Sequence, residues 1–147
     1  MADDAILLDT SLLVAASVKM HPSHQTARAF LTRLKADETP TCITPQVCRE
    51  FLVVLTRQPV SGVTFTVEEA VNALAEWKTV STLLEEDGGV IAELLRLIDE
   101  RQVRGKQIHD CNLVATMIAH GVGRLATRNA TDFKRYESEI DVAPLDS

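Results

Sequence analysis

Hydrophobic and polar positions fall in blocks along this chain. Ile6-Leu7-Leu8 is apolar at every position, stops at Asp9, and is followed after Thr10 and Ser11 by a second apolar run from Leu12 to Val18. The short polar side chains at 9–11 compete for nearby backbone groups and favour caps and turns over one continuous helix. The pattern predicts a short buried strand, a tight turn, and a helix capped by Thr10 or Ser11. A strand without a polar face has both faces covered, as in the interior of a parallel sheet. Asp9 then sits at the carboxyl end of a central strand, where open α/β sheets place their ligands.

Four more short strands are expected at Thr41-Cys42-Ile43-Thr44, Val80 to Leu84, Arg124-Leu125-Ala126-Thr127 and Ile140-Asp141-Val142. Helical patterns separate them. The turn His21-Pro22-Ser23 opens a helix through Asp37, with Ala27, Phe30, Leu31 and Leu34 as its apolar stripe. Pro45 starts a helix to about Arg57, stopped by Pro59. Val47, Phe51, Val54 and Leu55 face the core there, and Glu50 lies on the border of their stripe. After a loop over 58–65, Thr66 and Glu69 have the spacing of a capping box, so a helix runs from there to about Lys78. Asp87-Gly88-Gly89 turns into a helix over Val90 to Gln102. Its glycine pair could cradle a phosphate, although two glycines also make an ordinary turn.

Asp110, Leu113, Val114, Met117 and Ile118 fall at i, i+3, i+4, i+7 and i+8, which puts Asp110 at the top of a buried helical stripe that Gly121 and Gly123 end. A lone desolvated carboxylate is costly, so Asp110 either caps its first turn or is held by a cation. Arg128 to Phe133 is a polar loop from which Asp132 enters a short helical turn. Strand–helix alternation without repeat or linker predicts one α/β domain over 1–147 with a mainly parallel sheet.

Composition narrows the functional classes. A chain of 147 residues buries roughly two thirds of its unfolded surface and needs no disulfides. Cys42, Cys48 and Cys111 are odd in number and form no C-x-x-C pair, which fits reduced thiols in a cytoplasmic protein. The acidic start, Asp3 and Asp4, is unlike a signal peptide, and no run approaches the ~20 apolar residues of a membrane span. A net charge of −6 disfavours non-specific nucleic-acid binding but leaves local phosphate contacts open, and 4% aromatic residues argues against base-stacking platforms. Arg57, Arg104, Lys106 and Arg128 are the basic residues suited to such contacts. His21 and His24 are three apart but have no third ligand beside them, and read as a solvated helix start.

Four acids share a position in this pattern. Asp9 follows the first strand, Glu50 comes soon after the second, and Asp132 follows the fourth; Asp110 opens the helix that leads into the fourth. In a parallel sheet the first three fall near the carboxyl edge. Carboxylates gathered there repel one another unless a cation intervenes, and all-oxygen ligation suits Mg²⁺ or Mn²⁺.

Four stretches make the sequence resemble the PIN-domain nucleases, and most closely the VapC-type toxins of bacterial toxin–antitoxin pairs. They are Leu-Leu-Asp-Thr-Ser-Leu-Leu at 7–13, Arg-Glu-Phe-Leu-Val-Val-Leu-Thr-Arg at 49–57, Ile-His-Asp-Cys-Asn-Leu-Val-Ala-Thr at 108–116 and Leu-Ala-Thr-Arg-Asn-Ala-Thr-Asp-Phe at 125–133. The family's acidic quartet maps to Asp9, Glu50, Asp110 and Asp132, and its small polar residue two after the first Asp maps to Ser11. Other members often carry Asn at that position, and some carry Asp where this chain has Asn129, so the number of bound ions stays open. The resemblance implies an α/β/α sandwich, metal-dependent ribonuclease activity, a homodimer, and inhibition by a cognate antitoxin.

On that reading, Asp9 and Asp110 hold the main Mg²⁺ (or Mn²⁺) and Asp132 assists directly or through water. Glu50 positions or deprotonates the attacking water, or helps a second ion. Ser11, Thr127 and Asn129 support the carboxylates. The expected partners are RNA, an antitoxin protein and a second copy of the chain, with no membrane. Three alternatives stand beside it. One is a PIN-fold RNA-processing nuclease that is not a toxin. Another is aspartyl phosphotransfer through Asp9, although such enzymes carry a second Asp where this chain has Ser11. The third is a non-catalytic interaction module in which all four acids are caps.

Overall fold

The computed structural model describes residues 4–145; Asp3 and the other terminal residues lie outside it. Strands β1 (Ile6–Leu8), β2 (Thr41–Ile43), β3 (Thr82–Leu83), β4 (Arg124–Ala126) and β5 (Asp141–Ala143) form one all-parallel sheet in the order β3-β2-β1-β4-β5. The run without a polar face is the central strand, and all three of its residues are buried. Helices α1 (Thr10–Ser17) and α2 (His24–Ala36) link β1 to β2, and α3 (Pro45–Arg57) and α4 (Val67–Val80) link β2 to β3. These helices pack α1 on α2, α1 on α3 and α3 on α4. Helices α5 (Gly88–Arg101) and α6 (Gln107–His120) link β3 to β4 and pack on each other, and a 3₁₀ helix over Ala130–Tyr136 packs on α6. Parallel crossovers are right-handed. The chain moves one way across the sheet from β1 to β3 and the other way from β3 through β4 to β5, so the two helical groups cover opposite faces. The result is a three-layer α/β/α sandwich.

This topology positions the site in two ways. Strand order reverses between β1 and β4, and such a switch point opens a crevice at the carboxyl ends of the two strands. A helix that precedes a parallel strand also runs against the strand direction. The first turn of α6, with Asp110, therefore lies at the same carboxyl edge as Asp9.

The capping box of α4 is present in both directions, with the Glu69 N–H on Thr66 Oγ1 at 3.0 Å and the Thr66 N–H on Glu69 Oε1 at 2.9 Å. Other helix starts differ from expectation. The N-cap of α1 is Asp9 rather than Thr10 or Ser11; its backbone is extended and its own carboxylate accepts the Thr10 N–H. Helix α5 begins at Gly88 with Asp87 as its cap, and Asp87 Oδ1 takes the N–H groups of Gly89 and Val90 at 3.0 and 3.3 Å. The glycine pair is thus a capped helix start, with the Gly89 amide already engaged. Helix α6 begins at Gln107, with Lys106 at the N-cap and no side-chain cap bond.

The three cysteines are free, with Cys42 and Cys111 buried. Burial pushes the Cys42 thiol up to about 12, so it is inert as a nucleophile. Among the described residues no helix is long and apolar enough to cross a membrane.

Candidate active site

The hydrogen-bond ladder of the central strands continues one residue beyond β1, because the Asp9 N–H donates to the Ala126 carbonyl at 2.9 Å. Leu8 is paired with Ala126, so Asp9 and Thr127 stand side by side at the ends of β1 and β4. The Asp9 carboxylate accepts the Thr10 N–H at 2.8 Å, the Thr127 hydroxyl at 2.7 Å and the Ser11 hydroxyl at 3.2 Å. Thr127 has one hydroxyl proton. It gives that proton to Asp9, and its oxygen accepts the Asn129 N–H at 3.0 Å. Ser11 in turn accepts the Arg128 N–H at 3.0 Å. The polar turn after β4 and the start of α1 thus fix one orientation of the carboxylate. Burial outweighs these hydrogen bonds and raises the pKa of Asp9, and the charge of Asp132 adds to the rise.

Glu50 arrives on α3, which Thr44 caps from the end of β2 by accepting the Val47 N–H at 3.1 Å. Glu50 is half-buried, as its border position on the apolar stripe predicts. Its Oε1 accepts the Thr10 hydroxyl at 3.1 Å, which ties α3 to the start of α1.

Asp110 is half-buried in the first turn of α6, four residues inside the N-cap. It is not the cap of that helix, so no side-chain cap bond offsets its burial. Its carboxyl is pushed up to about 6, chiefly by burial and then by the charges of Asp9, Asp132 and Glu50. One carboxyl group therefore feels all three of the others.

Asp9, Glu50 and Asp110 line one cleft of about 700 Å³. Asp132 is exposed, enters the 3₁₀ helix as expected, and lines an adjoining cavity of about 320 Å³ that it shares with Asp110. Among the described residues no group of three or more His, Cys, Asp or Glu side chains is drawn together closely enough to hold a metal ion. An open set of carboxylates still fits a hard ion such as Mg²⁺, which binds one or two carboxylates and keeps several waters.

Sequence reasoning passed over several residues here. Gln46 is buried at the start of α3, where it donates to the His109 carbonyl at 2.8 Å and accepts from Asn112 Nδ2 at 2.8 Å. This amide pair fixes the first turn of α6, and Asp110 with it, against α3. The available signal was a polar residue within the buried face of α3. Of the basic candidates, Arg57 and Arg128 line the cleft together with Arg49, while Arg104 and Lys106 are not among its lining residues. His21 Nδ1 accepts the Ser23 N–H at 3.0 Å and His24 Nδ1 lies 3.0 Å from the Ala15 carbonyl. Both rings are tied to the backbone.

Fold and site together define an α/β/α domain with acids from four separate segments gathered at the switch point of a parallel sheet. The chain belongs to the PIN domain family, whose model matches residues 6–139. Among solved structures the fold is similar to VapBC2 from Rickettsia felis bound to a DNA fragment from its promoter, at 16% identity and a TM-score of 0.68, covering 95% of this chain and 97% of that one. It is also similar to VapC20 of Mycobacterium tuberculosis, a sarcin-ricin-loop-cleaving toxin, at 20% identity and a TM-score of 0.68 over 95% and 99%. A third similar structure is VapBC-1 of nontypeable Haemophilus influenzae, at 11% identity and a TM-score of 0.70 over 97% and 99%. At these identities the likeness is one of fold. No curated protein matches the chain in sequence.

Proposed function

We propose that the protein is a metal-dependent ribonuclease and the toxin of a toxin–antitoxin pair. The observation that carries this reading is the Asp110 carboxyl, uncapped, half-buried and raised to about 6 by burial and the three other acids. Membership of the PIN family supports it, as does a fold shared with toxin–antitoxin complexes and with a toxin that cuts the sarcin-ricin loop.

Asp9 and Asp110 are the proposed ligands of Mg²⁺ or Mn²⁺, with Asp132 assisting from the adjoining cavity. The ion, when bound, would neutralise the acids, polarise a phosphodiester oxygen and lower the pKa of water. Ser11, Thr127 and the Asn129 N–H keep Asp9 in one orientation, and Gln46 keeps Asp110 in place. Such outer partners typically matter ten- to hundredfold in metal affinity. Glu50, with one oxygen engaged by Thr10, is assigned to orient the attacking water and accept its proton.

An antitoxin and a second copy of the chain are the proposed protein partners. Large apolar side chains on α4 and edge strand β3 support this, since Val67, Val71, Val80 and Leu83 are 71, 52, 67 and 43% exposed. Three free thiols fit a reducing, cytoplasmic setting.

The test is incubation of purified, antitoxin-free protein with total RNA in Mg²⁺ or Mn²⁺ and then in chelator. Cleavage that chelator stops and added metal restores is the expected result. Intact RNA under all conditions contradicts the reading, and cleavage by a protein whose genomic neighbour neither binds nor inhibits it favours an RNA-processing nuclease over a toxin.

A further inference from the structure

All four ion pairs among the described residues gather on two arginines, Arg96 and Arg101, far along the chain from the acids of α1 and α3. Arg49, Arg57 and Arg128 line the carboxylate cleft, are exposed, and take part in none of these pairs. Arg49, Val53 and Arg57 are spaced by four on α3 and so lie on one helix face, with Val53 51% exposed between the two cations. At 1.5 Å per residue the two arginine positions are about 12 Å apart along the helix. That is the axial length of three to four stacked nucleotides at ~3.4 Å each. Arg49 is the neighbour of Glu50 in the chain, so this row leads away from the acids. Arg128 follows β4, on the other side of the central strand from α3. No Phe, Tyr or Trp side chain lines the cleft, so it lacks the large aromatic platforms of base-stacking grooves.

We propose that α3 carries a phosphate track, with Arg49 and Arg57 holding the backbone of single-stranded RNA on one side of the acids and Arg128 holding it on the other. This rests on the ribonuclease reading above and names the side chains that bind its substrate. Binding is through phosphates, with little reading of bases. Three phosphate contacts to a single strand give a slope of log K against log salt of about −2, or about a twentyfold loss of affinity between 50 and 200 mM salt. Removing one arginine lowers that slope by about 0.7. Lysine keeps the point charge and restores most of it.

The experiment follows a fluorescein-labelled 12-nucleotide oligouridylate by anisotropy in Mn²⁺ at several salt concentrations. The protein is the full chain carrying Asp9→Asn to spare the probe. Arg49→Gln, Arg57→Gln, their lysine counterparts and Arg104→Gln are compared in that background, with circular dichroism to confirm folding. Cleavage of total RNA by the chain with Asp9 intact is measured in parallel. The expected result is a slope near −2 that drops by about 0.7 in Arg49→Gln and in Arg57→Gln, recovers with lysine and is unchanged in Arg104→Gln. Equal slopes in all variants, or no binding of the probe while total RNA is still cut, overturn the phosphate track and leave the ribonuclease reading standing. Neither binding nor cleavage overturns both.

Discussion

Asp110→Asn is predicted to stabilise the metal-free protein. A carboxyl raised from its ordinary 3.8 to about 6 in the fold opposes folding at neutral pH by up to about 3 kcal/mol, at 1.36 kcal/mol per pKa unit. Asp110 is only half-buried, so solvent screening reduces this to about 1–2 kcal/mol. The substitution also loses the attraction between a first-turn acid and the helix dipole, about 0.3–1 kcal/mol. A net gain of about 1 kcal/mol raises the Tm of a chain this size by about 2–4 °C. The pH dependence follows from the direction of the shift. Between 3.8 and about 6 the folded wild type binds more protons than the unfolded chain, so its stability rises as pH falls through that window. The advantage of the Asn variant should therefore be full at pH 7.5 and reduced by about half near pH 5. Thermal melts in chelator at both values measure it. Added Mn²⁺ should raise the Tm of wild type more than that of the variant. A variant that melts at or below wild type at pH 7.5, or whose advantage does not shrink at pH 5, refutes the reasoning.

Asp9→Asn should abolish RNA cleavage while melting within about 2 °C of wild type in chelator, because Asn caps a helix about as well as Asp; cleavage by the folded variant would contradict the assignment. Thr127→Val removes both the donor to Asp9 and the acceptor of the Asn129 N–H; denaturant melts should show a loss of about 1–3 kcal/mol, calorimetry a ten- to hundredfold weaker Mn²⁺, and Thr127→Ser should restore both. Gln46→Leu strips the Asn112 amide of its partner and should weaken Mn²⁺ as well as the fold; lost stability with unchanged Mn²⁺ affinity would show that Gln46 does not position Asp110. Size-exclusion chromatography with light scattering should give twice the chain mass for protein expressed alone and a co-purifying complex for protein expressed with its genomic neighbour; a monomer with no bound neighbour would count against the partners proposed.

The sequence revealed β1 and Asp9 because a strand without a polar face can only be interior, and its end is then the ligand edge. Glu50 was legible from its place on the border of the α3 stripe, a position the structure keeps as half-buried. Asp110 was harder to place. Its helical stripe was readable, but its position at the carboxyl edge follows only once α6 is seen to run against the strands into β4. The sequence marks the start of α6 three residues late, at Asp110, because Lys106 makes no side-chain cap bond. The sequence offers Thr10 and Ser11 as the cap of α1 because adjacent polar residues all make good caps; Asp9 is the cap and also lines the cleft. The Gln46–Asn112 bond joins positions 66 apart, and no local pattern announces such a pair. The Arg49–Arg57 row was available from helical spacing alone, but its significance depends on which face of α3 borders the acids.

Whether the acids form one divalent-metal site is decided most directly by calorimetric titration of Mn²⁺ into wild type, Asp9→Asn and Asp110→Asn at pH 7.5. The predicted result is saturable binding to wild type that either substitution weakens by at least about tenfold. No binding to wild type, or equal binding to all three proteins, would contradict it.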